Sequence, residues 1–593
     1  MKDDKVLLNQ GYGYADVASK QPIDPETTLF RMASISKSIT ATAAMQLVEQ
    51  GKIDLNKDVS AYMPDIQIKN DTGAPVTTEH LLVHTAGFDY TDVVMQGDNT
   101  GLKEFILENV PTVVRKPGEA YRYDNLGYNL LGYIVQNVSG EPFDQYVDRH
   151  IFAPLNMRHS TFLLNDKAKE KLATGYDINK QPLEAYPMVP TIAPDGGMLS
   201  SGSDIANFLI AHMNGGQLND SRILEEKTEK LMQTIQYEAA PGAGIMTYGF
   251  ESLLRTMHNG QYVVGKGGDL PGYHSWLWML PDQHVGGMVI VNSDASTSIR
   301  VDFFEAFMNH YYPKKLETKP AITLTNEQLV QFEGVYSNLR IPMFATQVKA
   351  EDGVLIAQDG YGTHTLRPIG QQLFEDENGV VAAFKTDDRG EIQYLYYKME
   401  DSVSEKLSEP GAYDDVVTDS PYSESIYYLR TLGAFGDRGE SSFHPESTMT
   451  RADFVSMITR LSGLKPSTAP AIFQDVQGHR QAALIQTAAE LGILTGTTDM
   501  RFEPDRAITR QEAAAIMWRL VRNFFGSEPV EASLSTAPAP WASEAVQYIV
   551  ASGMYGPEVK KDATGAVDFM PGEPLLRQEA AAILVKLIQN MFA

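Results

Sequence analysis

The chain has 593 residues, 43% of them hydrophobic, and a formal net charge of −27 at pH 7. That length calls for several domains, and that charge argues against a nucleic-acid partner. The absence of cysteine excludes thiol nucleophiles and suits an exported protein; no run of about 18 apolar residues offers a membrane span, and the 12 histidines show no HExxH or other ligand spacing, so neither metal nor cofactor is expected.

Residues 1–30 read as a strand hairpin. No secretory leader is apparent, and Met1-Lys-Asp-Asp-Lys5 leads straight into a strand-like run, Val6 to Tyr14, which suggests a native start further upstream. Arg31-Met-Ala-Ser34-Ile-Ser-Lys37 then opens a helical pattern in which Ile35, Ile39, Ala43, Leu47 and Val48 share a face and Gly51 can end the helix. Residues three apart on a helix are neighbours, so the Lys37 amine falls beside the Ser34 hydroxyl at the positive helix end. An acyl-transfer nucleophile needs that arrangement: a base within reach and a field that favours developing negative charge. Ser-x-x-Lys is a weak motif alone. A second copy, Ser462-Gly-Leu-Lys465, trails a helical run and is read as chance.

Thr77 and Thr78 are candidate N-caps for a short helix reaching Leu81-Leu-Val-His84-Thr-Ala-Gly87, in which His84 is read as a loop-fixing residue and not a base. In Tyr121-Arg-Tyr123-Asp-Asn125, an extended loop would point Tyr123 and Asn125 to one side. A phenol can relay a proton, and an amide can hold both a substrate carbonyl and the lysine. A buried tyrosine and a turn asparagine would look the same, and Tyr336-Ser-Asn338 repeats the spacing in a β-rich stretch. Gly196 to Ser203 opens another helix, with Ser203 as N-cap and Ile205, Phe208 and Leu209 buried. Tyr262 to Leu280 reads as a strand, a Gly-rich turn holding Lys266-Gly267-Gly268-Asp269, and a second strand. Those glycines leave room for a ligand along a strand edge, and a lysine there favours a substrate carboxylate. A strand over 286–292 and an amphipathic helix from Val301 to Tyr312 close the region.

Ser34-x-x-Lys37, then Tyr123-x-Asn125, then Lys266-Gly-Gly, with their flanks, resemble the serine β-lactamase and penicillin-binding-protein superfamily over residues 1–313. The branch they resemble holds class C β-lactamases, D-alanyl-D-alanine peptidases, D-aminopeptidases and esterases. The resemblance implies an α/β fold, an antiparallel sheet flanked by helices, with the site between the sheet and an all-helical region. It implies that Ser34 becomes acylated, that Lys37 and Tyr123 share the proton work, and that Asn125 positions substrate. It also implies that Lys266 supports Tyr123 and a substrate carboxylate, and that the N–H groups of Ser34 and Asp269 form the oxyanion hole beside Gly267 and Gly268. Three departures stand out. Asp124 replaces a small residue and would either add charge near the site or point to solvent. Lys-Gly-Gly replaces Lys-Thr-Gly, which counts against efficient β-lactam hydrolysis. The family's N-terminal helix is missing, which would leave an apolar face uncovered beside the helix at 301–312.

Residues 314–322 read as a linker, and 324–400 as a small antiparallel β-barrel, similar to the lipocalin-like domain that often follows this catalytic domain. Its hairpin turns are Asp352-Gly353, Asn378-Gly379 and Arg389-Gly390. A polar linker over 401–412 precedes a threefold repeat. Phe443-His-Pro445 with Thr450-Arg451-Ala-Asp453, Phe502-Glu-Pro504 with Thr509-Arg510-Gln-Glu512, and Phe569-Met-Pro571 with Leu576-Arg577-Gln-Glu579 each precede an apolar helical pattern. They resemble S-layer homology (SLH) repeats, at about 413–464, 471–525 and 535–592, in an all-α module spanning 413–593. That resemblance implies anchoring to the anionic secondary polymer of a Gram-positive-type cell wall. Arg451, Arg510 and Arg577 are the candidate contacts, since guanidinium suits a carboxylate; the alternative is that they bridge to Asp453, Glu512 and Glu579.

Together these features predict a multidomain, secreted, wall-anchored serine hydrolase working through an acyl-enzyme on Ser34. A penicillin-binding-protein-like peptidase for D-amino-acid peptides comes first. An esterase or amidase, or a class C-like β-lactamase, is the alternative activity, and a non-catalytic wall-binding or sensory protein is the alternative of another class.

Overall fold

The computed structural model describes residues 1–90, 99–251, 257–314, 322–399, 401–436, 440–496, 499–525, 527 and 529–590. The chain divides into two compact units, Met1–Lys319 and Pro320–Ala593. The linker read at 314–322 falls mostly outside the described residues.

In the first unit, β1 (Tyr14–Asp16) pairs with β2 (Gln21–Pro22), and β3 (Phe30–Arg31) leads into the helix α1 (Ser36–Glu49). Gly51, at φ +69°, follows α1 as expected. Next come α2 (Thr78–Leu82), capped by Thr77, and α3 (Asn125–Ser139). The strand β4 (Leu199–Ser200) pairs with β3, and α4 (Gly202–Met213) follows it. The sheet behind the site is β5 (Val264–Leu270), β6 (Tyr273–Leu280) and β7 (Val285–Val291), in that order and antiparallel. The central strand β6 is almost continuously apolar and buried, as a strand covered on both faces must be. Behind it lies α5 (Ile299–Tyr311), whose Phe304 ring meets the Trp276 and Trp278 rings at 5.8 and 5.3 Å.

Three local expectations are corrected here. The run from Val6 is not a strand before Tyr14, and Leu7 and Leu8 stand exposed. Glycines and amides interrupt it, and the pairing goes instead to the first residues: Met1 and Gly286 exchange backbone bonds, and Asp3 N–H donates to the His284 carbonyl. Ser201, not Ser203, caps α4, because its Oγ accepts from Asp204 N–H, whereas the Ser203 Oγ accepts from the Asn9 amide. The turn after Lys266 is Pro271-Gly272, with Gly272 at φ +77°, so the Lys266 to Asp269 stretch lies within β5. Along α5, Ile299, Val301, Phe303 and Tyr311 are exposed.

The second unit begins with α6 (Asn326–Val330) and a closed eight-stranded antiparallel barrel. Its strands are β8 (Gly334–Asn338), β9 (Ala345–Glu351), β10 (Val354–Asp359), β11 (Gly362–Pro368), β12 (Leu373–Glu375), β13 (Val381–Thr386), β14 (Ile392–Tyr396) and β15 (Ser404–Lys406). The closing strand β15 lies in the stretch read as a polar linker. It is too short to carry a pattern, and it forms because β8 and β14 each need a partner there. Gly353, Gly379 and Gly390 all take positive φ at the expected turns. Phe332, Phe374 and Phe384 pack ring to ring at 4.8–5.5 Å with Leu329, Leu355 and Leu366 around them, so the barrel interior is a packed core.

The C-terminal region holds α7 (Ser423–Thr431), α8 (Arg451–Leu461), α9 (Ala482–Glu490), α10 (Arg510–Phe525), α11 (Ser543–Ala551) and α12 (Arg577–Asn590). It is not purely helical: β16 (Lys560–Lys561) pairs with β17 (Val567–Asp568). Single bridges join Thr450 to Ala507, Thr509 to Pro574 and Thr448 to Leu576, closing the three stretches into a ring. Met343 and Ala345 of the barrel join the helical core, and Met343 N–H donates to the Leu461 carbonyl at 2.6 Å.

Candidate active site

Ser34 sits in a tight turn, Ala33–Ile35, that runs directly into α1. Ala33 takes φ +49°, a conformation costing a non-glycine residue about 1–2 kcal/mol. The surroundings impose it: the Ala33 carbonyl accepts from Ser36 Oγ at 2.6 Å, and Ser36 Oγ accepts from Met198 N–H at 3.0 Å. Ser34 is thereby left half-buried while Lys37, one turn on, is fully buried. Lys37 Nζ lies 3.1 Å from Ser34 Oγ and 2.7 Å from both Asn125 Oδ1 and the Asp195 carbonyl oxygen.

Tyr123 stands between two lysines. Lys37 Nζ is 4.9 Å and Lys266 Nζ 4.5 Å from its ring centre, and Lys266 Nζ donates to the Tyr123 hydroxyl at 3.2 Å. The His84 ring packs on the Tyr123 ring at 4.4 Å, and His84 Nδ1 accepts from the Asp124 N–H at 3.0 Å. Asp124 does not face solvent. It is buried, and its Oδ1 caps α3 by accepting from Leu126 N–H. Asn125 is the first residue of α3 and not part of an extended loop, yet it still reaches Lys37.

Lys266 is also buried, and its ammonium is ion-paired with Glu251, which sequence reasoning missed. Glu251 exchanges backbone hydrogen bonds with Gly265 on the outer edge of β5. No motif surrounds Glu251; only a carboxylate inside an apolar run could have flagged it. Because the Gly265 backbone groups point to that edge, strand alternation turns those of Gly267 and Asp269 the same way. A side chain at Gly268 would meet the Met32 carbonyl oxygen at 2.4 Å, so this glycine makes room for the turn that holds Ser34.

The three C-terminal arginines repeat one contact. Arg451 Nε donates to the Phe502 carbonyl, Arg510 Nε to Phe569 and Arg577 Nε to Phe443, each at 2.8 Å, and each guanidinium lies over the ring of that phenylalanine. Arg451 also pairs with Glu512 at 2.9 Å, and Arg510 with Glu579 at 3.1 Å and Glu558 at 2.5 Å. These bridges run from one of the three stretches to the next, not within each. Arg577 differs: the acid in the matching position is the shorter Asp453, which is bonded to Gln481, Thr450 and Arg480. Of the two chance repeats of these motifs, Ser462 ends α8 and bonds the Ile458 carbonyl, and Tyr336 lies in the barrel core.

Among known proteins, the sequence model of the Beta-lactamase family matches residues 1–305, more than half of the chain, and the chain belongs to that family. It carries a β-lactamase and penicillin-binding-protein-like domain of the serine hydrolase type. The S-layer homology domain model matches residues 412–455 and 472–514, giving two SLH repeats and a cell-surface association. Protein flp of Staphylococcus aureus (strain MRSA252) is 29% identical over 301 residues, which are 49% of this chain and 58% of that protein. The chain thus spans little more than half the length of that relative. Among solved structures, the octameric penicillin-binding protein homologue from Pyrococcus abyssi is 26% identical, with a TM-score of 0.46 over 68% of this chain and 94% of that one. The β-lactamase/D-alanine carboxypeptidase from Pseudomonas syringae is 23% identical, with a TM-score of 0.44 over 51% and 90%. No helix among the described residues is long and apolar enough to cross a membrane.

Proposed function

We propose that this chain is a cell-wall-anchored serine hydrolase that forms an acyl-enzyme on Ser34 and acts on D-amino-acid peptides. The observation that carries the reading is the cluster of Lys37 Nζ, 3.1 Å from Ser34 Oγ, with Tyr123 held between Lys37 and Lys266. Ser34 Oγ attacks the substrate carbonyl, and its proton passes to the Lys37–Tyr123 pair, which shares it as a coupled unit. The same pair returns the proton to the leaving amine. Asn125 orients Lys37 and the incoming amide. The N–H groups of Ser34 and Asp269 receive the oxyanion, each worth about 3 kcal/mol of transition-state stabilisation.

Esterase chemistry on small acyl substrates is a second reading, and one observation favours it. Lys266 already has Glu251 as counter-ion, so it has less charge to offer a substrate carboxylate than its sequence motif implies. Intact-mass analysis after mixing with benzylpenicillin, with Ser34→Ala beside it, tests both. A stable adduct on wild type alone supports the peptidase. Drug consumed without an adduct indicates a β-lactamase. Drug intact, with acetylation of Ser34 by p-nitrophenyl acetate, indicates the esterase. No modification of Ser34 by either reagent would leave a non-catalytic wall-binding protein.

For anchoring, we propose that the stretch at 535–592 is a third SLH repeat and that Arg577 is the main contact to an anionic wall polymer. Arg451 and Arg510 are committed to Glu512 and Glu579. Arg577→Ala should abolish sedimentation with purified walls at a temperature where circular dichroism shows the variant still folded, although losing the bond to the Phe443 carbonyl lowers its melting temperature. Unchanged sedimentation would count against it.

A further inference from the structure

On the far side of β5 from the nucleophile lies a polar cluster that the reaction as written does not use. Side chains alternate along a strand. Gly268 faces Met32 and Ala33, so the Asp269 side chain leaves on the opposite face. There Asp269 Oδ1 is bonded to His274 Nδ1 at 2.6 Å and Arg300 Nη2 at 2.7 Å. His274 Nε2 is bonded to Asp294 Oδ1 at 2.8 Å, and that same oxygen accepts from Gly272 N–H at 2.6 Å. Arg300 Nη1 donates to the Ser275 carbonyl at 3.1 Å and to the Gly268 carbonyl at 3.4 Å, and Ser275 Oγ reaches the Gly268 carbonyl at 3.3 Å.

The Gly268 carbonyl and the Asp269 N–H belong to one planar trans peptide and point in opposite directions. Fixing the carbonyl from one side therefore aims the N–H to the other. The geometry points to His274 and Arg300 as positioning residues for the oxyanion hole: with Asp269 and Asp294 they clamp the Gly268–Asp269 peptide so that its N–H faces the acyl carbonyl at Ser34. This inference rests on the reading of Ser34 as nucleophile and the Asp269 N–H as oxyanion donor.

The clamp is complete only when His274 is an imidazolium. Each ring nitrogen faces a carboxylate, and a neutral ring has one N–H to give. Burial opposes that charge, but the hydrogen bonds to Asp269 and Asp294 outweigh it and hold His274 above its ordinary range. Burial likewise pushes the Asp269 carboxyl up, and His274 and Arg300 more than reverse it. The charged groups around His274 are Asp269 from β5, Asp294 from the turn after β7, and Arg300 from α5. The clamp therefore acts at pH values below the His274 titration and loosens as pH rises through it.

The test is the rate of Ser34 acetylation by p-nitrophenyl acetate, followed from about pH 5 to about pH 9 across the imidazole range, in the full chain and in His274→Asn and Asp294→Asn. Wild type should lose rate on an alkaline limb. His274→Asn should lack that limb and acylate about tenfold more slowly, with KM little changed, a fraction of the loss expected on deleting a donor outright. Asp294→Asn should keep the limb but move it about one pH unit lower, because one carboxylate partner is gone. An acylated wild type whose profile is unaltered in both variants overturns the inference alone. Should His274→Asn fail to fold, an unmoved limb in Asp294→Asn overturns it by itself. A wild type that leaves Ser34 unmodified overturns the nucleophile reading, and this inference with it.

Discussion

The β-lactamase-like domain and the C-terminal ring both bury cations, and they satisfy them differently. Lys37 donates to a serine hydroxyl, an amide oxygen and a backbone carbonyl, all neutral. Arg451 and Arg510 give one bond to a backbone carbonyl and the rest to glutamates. Neutral acceptors orient an ammonium without fixing its proton, as a base must allow, while a guanidinium that cannot deprotonate suits a joint. Lys266, paired with Glu251, is built like the joints although it sits in the site.

Removing the exchangeable amine breaks that contrast most sharply. Lys37→Ala should slow acylation by about 10³-fold, within the usual worth of a general base. Lys37→Arg should do no better, because it keeps the charge and cannot give up its proton. The rate of adduct formation by mass spectrometry checks both; near-normal acylation in Lys37→Arg would refute a proton-transfer role.

The joints should show their loss in stability. Glu251→Ala leaves Lys266 buried without its counter-ion and should cost about 3–5 kcal/mol in urea unfolding. Glu512→Ala should cost less, about 1–3 kcal/mol, since Arg451 keeps the Phe502 carbonyl. Equal losses would mean that the Phe502 carbonyl does not carry Arg451 through the loss of Glu512.

These cases also mark where the sequence was legible. Ser34 and Lys37 are three residues apart on one chain turn, so local spacing was enough to place them together. The Tyr123 and Lys266 motifs carried order but not distance, and their meeting around Lys37 is long-range. Glu251, His274, Asp294 and Arg300 gave no signal, because each is defined only by what strand pairing and α5 bring beside it. The barrel followed the same rule: its Gly turns were readable, while the three-residue strand Ser404–Lys406 exists only because a closed sheet needs it. The arginines of the repeats were readable as a set, but the choice of partner depends on one methylene, Asp453 against Glu512 and Glu579.

A weaker charge pair in the barrel extends the comparison to an exposed site. His364 Nδ1 lies 2.7 Å from Glu377 Oε1, and that bond draws the Glu377 carboxyl down to about 2. A carboxyl lowered by folding contributes stability that is fully present above its ordinary value of 4.5 and is lost as pH falls toward about 2. Glu377 is about half exposed, so the contribution is small and screened by salt. Glu377→Gln should melt slightly below wild type at neutral pH, and the gap should close as the pH is lowered through that window. A gap that persists at the acid end would show that the pair is held by packing and not by charge.

The smallest effect separates charge from capping at the site itself. Asp124 is buried one residue from Tyr123, and it receives the Leu126 N–H while donating its own N–H to His84. If its worth is the cap, a serine hydroxyl can replace it, because serine and aspartate cap helix N-termini about equally well. Asp124→Ser should then stay within about 0.5 kcal/mol of wild type and acylate at a rate within a few-fold of it. If instead the carboxylate tunes the lysines around Tyr123, removing it should change the acylation rate and its pH profile at unchanged stability. Melting and the p-nitrophenyl acetate profile of this one variant separate the two, since a cap acts through α3 and a charge acts through Lys37 and Lys266.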